Sequence, residues 1–212
     1  MHAKKPSVFF PIIDNGLGFV RAGYTMSMIS ALMSLKGHSV TVSRISDSHP
    51  SRSGNQITAT FLESGCDEIF WIDTDIIFTP HDITHIMEHK VLFVCGIYPK
   101  RQVKLEPVLC TLPGHVPDPL AVLVPVKRAG RGFMRIQREV FERMKPHVPE
   151  YSNHGRPEWD FWPSPVIAGE YLSEDWAFCD KWRELGGTIY VDQRVQVQHE
   201  GSCVYPIDRD QL

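Results

Sequence analysis

In the first half of the chain, short apolar runs suited to buried strands alternate with segments whose apolar residues recur at helical spacing. Ser7–Ile13 (SVFFPII) is the first such run, and it passes into the glycine-bearing loop Asp14-Asn15-Gly16-Leu17-Gly18. Residues 20–36 carry Met26, Ile29, Leu32 and Met33 on a helical repeat and stop at Gly37, a good residue for the position after a helix. Ser39–Ile45 is the next strand. After the polar segment 47–54, broken by Pro50, residues 55–64 read as a helix closed by Gly65, and residues 68–73 (EIFWID) return to strand. The order is β-α-β-α-β, the start of a Rossmann-like half.

Further on, Thr79, Pro80 and Asp82 supply a cap, a first-turn proline and an acid for a helix reaching about His89, and residues 91–98 make a fourth strand. Residues 107–112 and 120–126 pair as antiparallel strands around Pro113-Gly114 and Pro117. Phe133–Gln137 is another strand, followed by a helix over 138–145. Residues 173–185 form a capped helix ended by Gly186-Gly187, and residues 188–192 and 195–199 complete the sheet. The proline-rich stretch 146–165 is long for a loop and reads as a binding lid. The expected fold is a mixed α/β single domain over residues 1–212.

At 212 residues the chain buries about 70% of its unfolded surface without disulfides or a structural metal, so any metal is expected to be functional. A formal charge of −3 gives no general field for nucleic acid or an anionic membrane, though a local basic patch can hold one phosphate. Cys66, Cys95, Cys110, Cys179 and Cys203 are odd in number and never form a CxxC pair, which fits a reducing, cytoplasmic setting better than a disulfide framework or a zinc ribbon. No stretch approaches the roughly 18 apolar residues of a membrane span, and no export or anchoring segment is expected.

The most informative segment runs from Asp67 to Pro80, where the apolar strand Ile69-Phe70-Trp71-Ile72 leads straight into Asp73-Thr74-Asp75. In an extended backbone, residues i and i+2 point the same way, so the two carboxylates would converge at the strand's C-terminal edge, where α/β sheets bind ligands. Like charges so close need a cation, and an oxygen-liking ion such as Mg²⁺ or Mn²⁺ would also bridge to diphosphate oxygens. The plainer alternative is a solvated turn with two acids.

Strand, D-x-D, then a helix at Thr79-Pro80 resembles the metal-binding strand end of the GT-A glycosyltransferases, which use nucleotide-sugar donors. Ser7 to Asp14 is similar to that family's first strand and nucleotide loop, and Ser51-Arg52-Ser53-Gly54-Asn55 to its Arg/Asn helix start, although Ser53-Gly54 separates a pair that is often adjacent. Ser173-Glu174-Asp175-Trp176 resembles its E-D acceptor-side helix, and Val197-Gln198-His199-Glu200-Gly201 its late histidine. The resemblance spans about residues 7–205 and extends to the first domain of a larger viral protein that glycosylates a capsid, in which case the setting is the host cytoplasm and further domains would follow. It divides the chain into a nucleotide-binding half, 1–98, and an acceptor-binding half, 99–212.

The resemblance implies that Asp73 contacts the ribose or the metal through water, that Asp75 is a direct metal ligand and that His199 is a third protein ligand, a set suited to Mn²⁺ (or Mg²⁺). It places Pro11, Asp14, Arg52 and Asn55 on the nucleotide sugar. It makes Asp175, with Glu174 as its neighbour, the catalytic carboxylate that activates the acceptor. Each has a plainer alternative: Glu174 and Asp175 complement a helix dipole, and Arg52 and Asn55 suit an ordinary helix start. The basic run Lys127, Arg128, Arg131, Arg135 and Arg138 reads as a solvated face, the alternative being contact with diphosphate or an acidic acceptor, and Gly130 and Gly132 would allow close substrate approach. His81, His85 and His89 recur every four residues, but no HExxH or nearby Cys accompanies them. Gly16, Gly18 and Gly23 do not complete GxGxxG.

The expected activity is transfer of a hexose or deoxyhexose from a nucleotide diphosphate donor, a UDP-sugar, to a glycan hydroxyl. A sugar-phosphate nucleotidylyltransferase shares the architecture but should show a G-x-G-[ST]-R loop after the first strand, which this chain lacks. A non-catalytic glycan- or nucleotide-binding module is the other alternative.

Overall fold

A computed structural model describes residues 6–14, 16, 18–102, 106–114, 116, 118–201 and 204–205. Asn15, Leu17, Pro117 and Cys203, named above, lie outside the described residues. The chain runs β1 (Ser7–Ile13), α1 (Ala22–Ser34), β2 (Ser39–Ile45), α2 (Pro50–Ser64), β3 (Glu68–Ile72), β4 (Ile76–Ile77), α3 (Pro80–Glu88), β5 (Phe93–Ile97), β6 (Leu109–Thr111) and β7 (Leu123–Ala129). It continues with β8 (Phe133–Gln137), α4 (Arg138–Met144), β9 (Glu150–Asn153), β10 (Arg156–Trp159), β11 (Val166–Ile167), β12 (Glu170–Tyr171), α5 (Glu174–Glu184), β13 (Ile189–Gln196), β14 (Gln198–Glu200) and β15 (Val204–Tyr205).

Eight strands form one central sheet in the order β2-β1-β3-β8-β5-β13-β7-β6. β2, β1 and β3 are parallel, while β8 runs antiparallel between β3 and β5. The sheet is therefore mixed, with a Rossmann-like N-terminal half, and helices cover both of its faces: this is the GT-A-like arrangement that the element order implies. Side chains of β3 alternate, so Ile69 and Trp71 join Ile57, Phe61, Phe141 and Phe178 on one face, while Phe70 and Ile72 join Tyr24, Met28, Ile83 and Ile86 on the other. Burial on both faces is why this strand is apolar from Ile69 to Ile72.

Several local expectations change. The repeat Met26, Ile29 and Met33 of α1 faces outward, Met33 being 74% exposed. The packed face is instead Tyr24, Ser27, Met28 and Ala31, with Gly23 allowing β4 so close that a Cβ there would lie 2.8 Å from Ile77, and Ser27 Oγ accepting the Phe78 N–H at 3.0 Å. α1 also ends at Ser34, before Gly37. α2 starts at Pro50, not Asn55: proline suits the first helical position and marks a beginning there rather than a break. Gly65 closes it at φ 69°, and Arg138 donates to the Phe61, Leu62 and Cys66 carbonyls left over at its end.

The stretch 146–165 is no open lid. It holds the hairpin β9–β10, turned by His154 and Gly155 with φ of 50° and 85°, and then sends Phe161 and Trp162 into the core. Trp162 stacks on Phe178 at 4.1 Å and donates Nε1–H to Thr58. Nor is the basic run a solvated face. Arg128 pairs with Asp180, Arg135 with buried Glu68, Arg138 caps α2, and Arg131 is 7% exposed. Gly130 and Gly132 give close approach to the Tyr98 ring, whose hydroxyl a Cβ on Gly130 would strike. Tyr98 in turn accepts the Gly132 N–H at 2.9 Å.

Candidate functional site

β3 delivers Asp73 to the sheet's C-terminal edge, where the backbone turns instead of continuing extended: the Ile76 N–H donates to the Asp73 carbonyl at 3.0 Å, and Thr74 Oγ1 donates to the Ile13 carbonyl at 3.1 Å. Asp73 and Asp75 nevertheless line one cleft of about 210 Å³, with Asp47, Arg101, Arg131 and Glu174 among its other walls. The turn, rather than strand alternation, brings the two acids together.

Asp73 accepts the Trp71 Nε1–H at 3.2 Å. Burial raises its carboxyl above the ordinary value, Arg131 opposing and Asp75 adding to the rise. A folded-state value above the unfolded one means that this group's contribution is best at low pH and is lost as pH rises from the unfolded carboxyl's range, near 3.9, through the folded value. Asp73→Asn is therefore expected to stabilise the fold at neutral pH, with the gain fading toward pH 3. Urea unfolding at the two pH values checks this, and a destabilised variant would show instead that the charge supports the fold.

Asp75 sits between Arg101 and His199. Its Oδ2 lies 3.1 Å from Arg101, while its Oδ1 is buried without a hydrogen-bond partner, 3.5 Å from His199 Nε2. Burial raises this carboxyl, but His199 and Arg101 outweigh it and hold the value below the ordinary one. The bridge between β14 and β4 fixes His199 opposite Ile76. Its Nδ1 is 2.8 Å from the Pro99 carbonyl, which can only accept, so the ring proton belongs on Nδ1. In the neutral ring the Nε2 lone pair then faces the bare Asp75 Oδ1, and the two repel unless a proton or a metal cation lies between them. Two ligands on one first-row ion stand roughly 3.0–3.5 Å apart, so the pair fits such an ion. Among the described residues no cluster of three or more His, Cys, Asp or Glu side chains is drawn together for a metal. Asp75 and His199 are the pair that the structure supplies; Asp73 is engaged with Trp71.

Of the expected nucleotide contacts, Arg52 is bound at 2.5 and 2.9 Å to Asp47, an acid on the cleft wall that the sequence reading did not name. Asp14 is buried under Arg44, which donates Nε–H at 2.7 Å and a second N–H, and hydrogen bonds from Ser46 and Arg44 hold its carboxyl below the ordinary range. Pro11 is buried within β1 opposite Ser43. Asn55 uses both ends of its amide on the protein itself, donating to Asp160 at 2.9 Å and accepting the Trp162 N–H at 3.1 Å. Pro11, Asp14, Arg52 and Asn55 are thus not brought to the cleft wall, and their side chains are explained by packing and pairing.

The neighbours Glu174 and Asp175 separate. The Asp175 carboxylate turns back on the first turn of α5, accepting the Ser173 hydroxyl and the Trp176 N–H. Glu174 reaches the cleft, 3.5 Å from Arg131, and also lines an adjoining cleft of about 570 Å³ with Asp160, Ser164 and Tyr171. Arg131 itself lies 4.4 Å over the Trp71 ring and 5.2 Å over Trp162, with its Nε buried and without a hydrogen bond. Sequence reading undervalued Arg131 and passed over Arg101. The available signal was an arginine set between Gly130 and Gly132, a pattern unlike a solvated face.

No protein-family model and no curated protein matches the chain. Among solved structures, the inositol-1-phosphate CTP transferase from T. maritima aligns loosely, with a TM-score of 0.47 and 11% identity over 100% of this chain and 93% of its own. A197 from STIV aligns with a TM-score of 0.58 and 16% identity over 92% of this chain and 86% of its own. The chain shares its fold with A197 from STIV.

Proposed function

We propose that the protein is a dication-dependent glycosyltransferase that moves a sugar from a nucleotide diphosphate donor, a UDP-sugar, to the hydroxyl of a glycan acceptor. The observation that carries this reading is the bare pairing of Asp75 Oδ1 with His199 Nε2, buried beside a cleft that Asp75 and Glu174 both line, Glu174 being shared with the adjoining cleft. Asp75 and His199 would hold the ion, Mn²⁺ suiting the imidazole better than Mg²⁺, and Asp73 would meet the ribose. A dication there supplies Lewis-acid stabilisation of the departing diphosphate.

The chain's own residues do the rest. Glu174, at the boundary of the two clefts, accepts the proton of the attacking hydroxyl, and Arg131, wedged against Trp71 and Trp162, orients it. The donor would occupy the cleft beside Asp75, and the acceptor the wider one beside Asp160 and Tyr171. UDP should bind at least about tenfold more tightly with Mn²⁺ than with EDTA, measured calorimetrically. Equal affinity under both conditions overturns the metal role.

A further inference from the structure

Among the described residues, four carboxylates, Asp47, Asp73, Asp75 and Glu174, and two guanidiniums, Arg101 and Arg131, line the cleft, a formal balance of 2 − 4 = −2 that becomes −1 when Arg52, paired with Asp47, is counted. Both guanidiniums are already committed, Arg101 to Asp75 at 3.1 Å and Arg131 to Glu174 at 3.5 Å. Among the described lining residues, an anionic diphosphate therefore meets more carboxylates than guanidiniums, and both lining arginines are already paired. The two arginines differ in how they are held. Arg131 is 8% exposed in its side chain and lies over the faces of two tryptophans, whereas Arg101 is 48% exposed and has the Asp75 ion pair as its anchor in the cleft.

We infer that Arg101 is an exchangeable counter-cation: a dication taking up Asp75 displaces the Arg101 guanidinium, which then pairs with the donor's diphosphate. This rests on the glycosyltransferase reading and adds to it a second diphosphate-binding group, one that reaches its ligand only after the metal has entered. Charge favours the exchange. A guanidinium on Oδ2 repels a dication on the same carboxylate, and the same guanidinium, once released, is a planar bidentate donor suited to phosphate oxygens. Ordered binding follows, with the metal ahead of the nucleotide.

The exchange makes the two affinities of one variant move in opposite directions. Mn²⁺ titrated into the nucleotide-free protein, followed by electron paramagnetic resonance of the unbound ion, should bind Arg101→Gln about five- to tenfold more tightly than wild type, because the competitor is gone. UDP titrated at saturating Mn²⁺ should bind the same variant about tenfold more weakly, and Arg101→Lys should fall between, retaining charge but not the bidentate fork. Unchanged or weaker Mn²⁺ binding by Arg101→Gln overturns the exchange, as does unchanged UDP binding. A wild-type protein that binds neither Mn²⁺ nor UDP overturns the glycosyltransferase reading together with the exchange. Wild-type binding of both, with Arg101→Gln indifferent, overturns the exchange alone.

Discussion

Glu174→Gln should lose transfer by about 100-fold or more while binding donor normally, because glutamine keeps the shape and the acceptor oxygen facing Arg131 but has no basic oxygen to take a proton. Asp175→Asn, one residue along, should transfer at nearly the wild-type rate. Its Oδ1 accepts the Ser173 hydroxyl and the Trp176 N–H, and an asparagine oxygen accepts both as well. Product formation from a UDP-sugar with Mn²⁺, measured beside calorimetric donor binding for each variant, separates turnover from affinity. If Asp175→Asn loses transfer and Glu174→Gln retains it, the catalytic carboxylate is the one the family resemblance placed first. Normal transfer in both would leave the pair as partners of the helix dipole.

That pair also shows where sequence reading stops. Ser173-Glu174-Asp175 announces a helix start with two acids in its first turn, and the helix is there; which acid looks outward depends on how α5 is rotated against the sheet. Rotation is set by Ala177, Phe178 and Trp182, which bury their side chains against the core, and a motif carries no information about it. The same holds for α1, where Met26, Ile29 and Met33 face outward and the packed side is Tyr24, Ser27, Met28 and Ala31. Strands were easier to read. Ser7–Ile13, residues 68–72 and Phe133–Gln137 are apolar because they are buried on both faces, and that requirement is written directly into composition.

Buried arginines were the systematic blind spot. Arg131, Arg135 and Arg138 look like a charged surface stripe in the sequence, yet each spends its charge on an interior partner: Glu174, Glu68, or the carbonyls ending α2. An arginine can be taken inside when a carboxylate, aromatic faces or unpaired carbonyls meet it, and those partners come from segments far apart in the chain. Asn55 illustrates the converse. It stands where the family pattern expects a ligand contact, but the Trp162 backbone and Asp160 occupy its amide, so its local context matched while its tertiary surroundings did not.

Asp75→Ala should remove nearly all of the advantage that Mn²⁺ gives to UDP binding and lower transfer by at least about 100-fold, while leaving the fold intact. The Arg101 guanidinium 3.1 Å from Oδ2 favours the ionised form, so the carboxylate presents an anionic oxygen to a cation. His199→Ala should weaken Mn²⁺ less than Asp75→Ala does, since it removes a neutral imidazole and leaves the anionic oxygen in place. The alternative account of the pair is a plain ion pair in which a protonated His199 satisfies Asp75 Oδ1. The two accounts diverge on His199→Gln. A side-chain amide N–H can hydrogen-bond Oδ1 in place of the imidazolium and so rescues an ion-pair role, but it is a poor substitute for imidazole on Mn²⁺. Mn²⁺ affinity that falls in His199→Gln as far as in His199→Ala, with the unfolding midpoint held near wild type, identifies the histidine as a ligand; affinity restored by glutamine would return it to the structure.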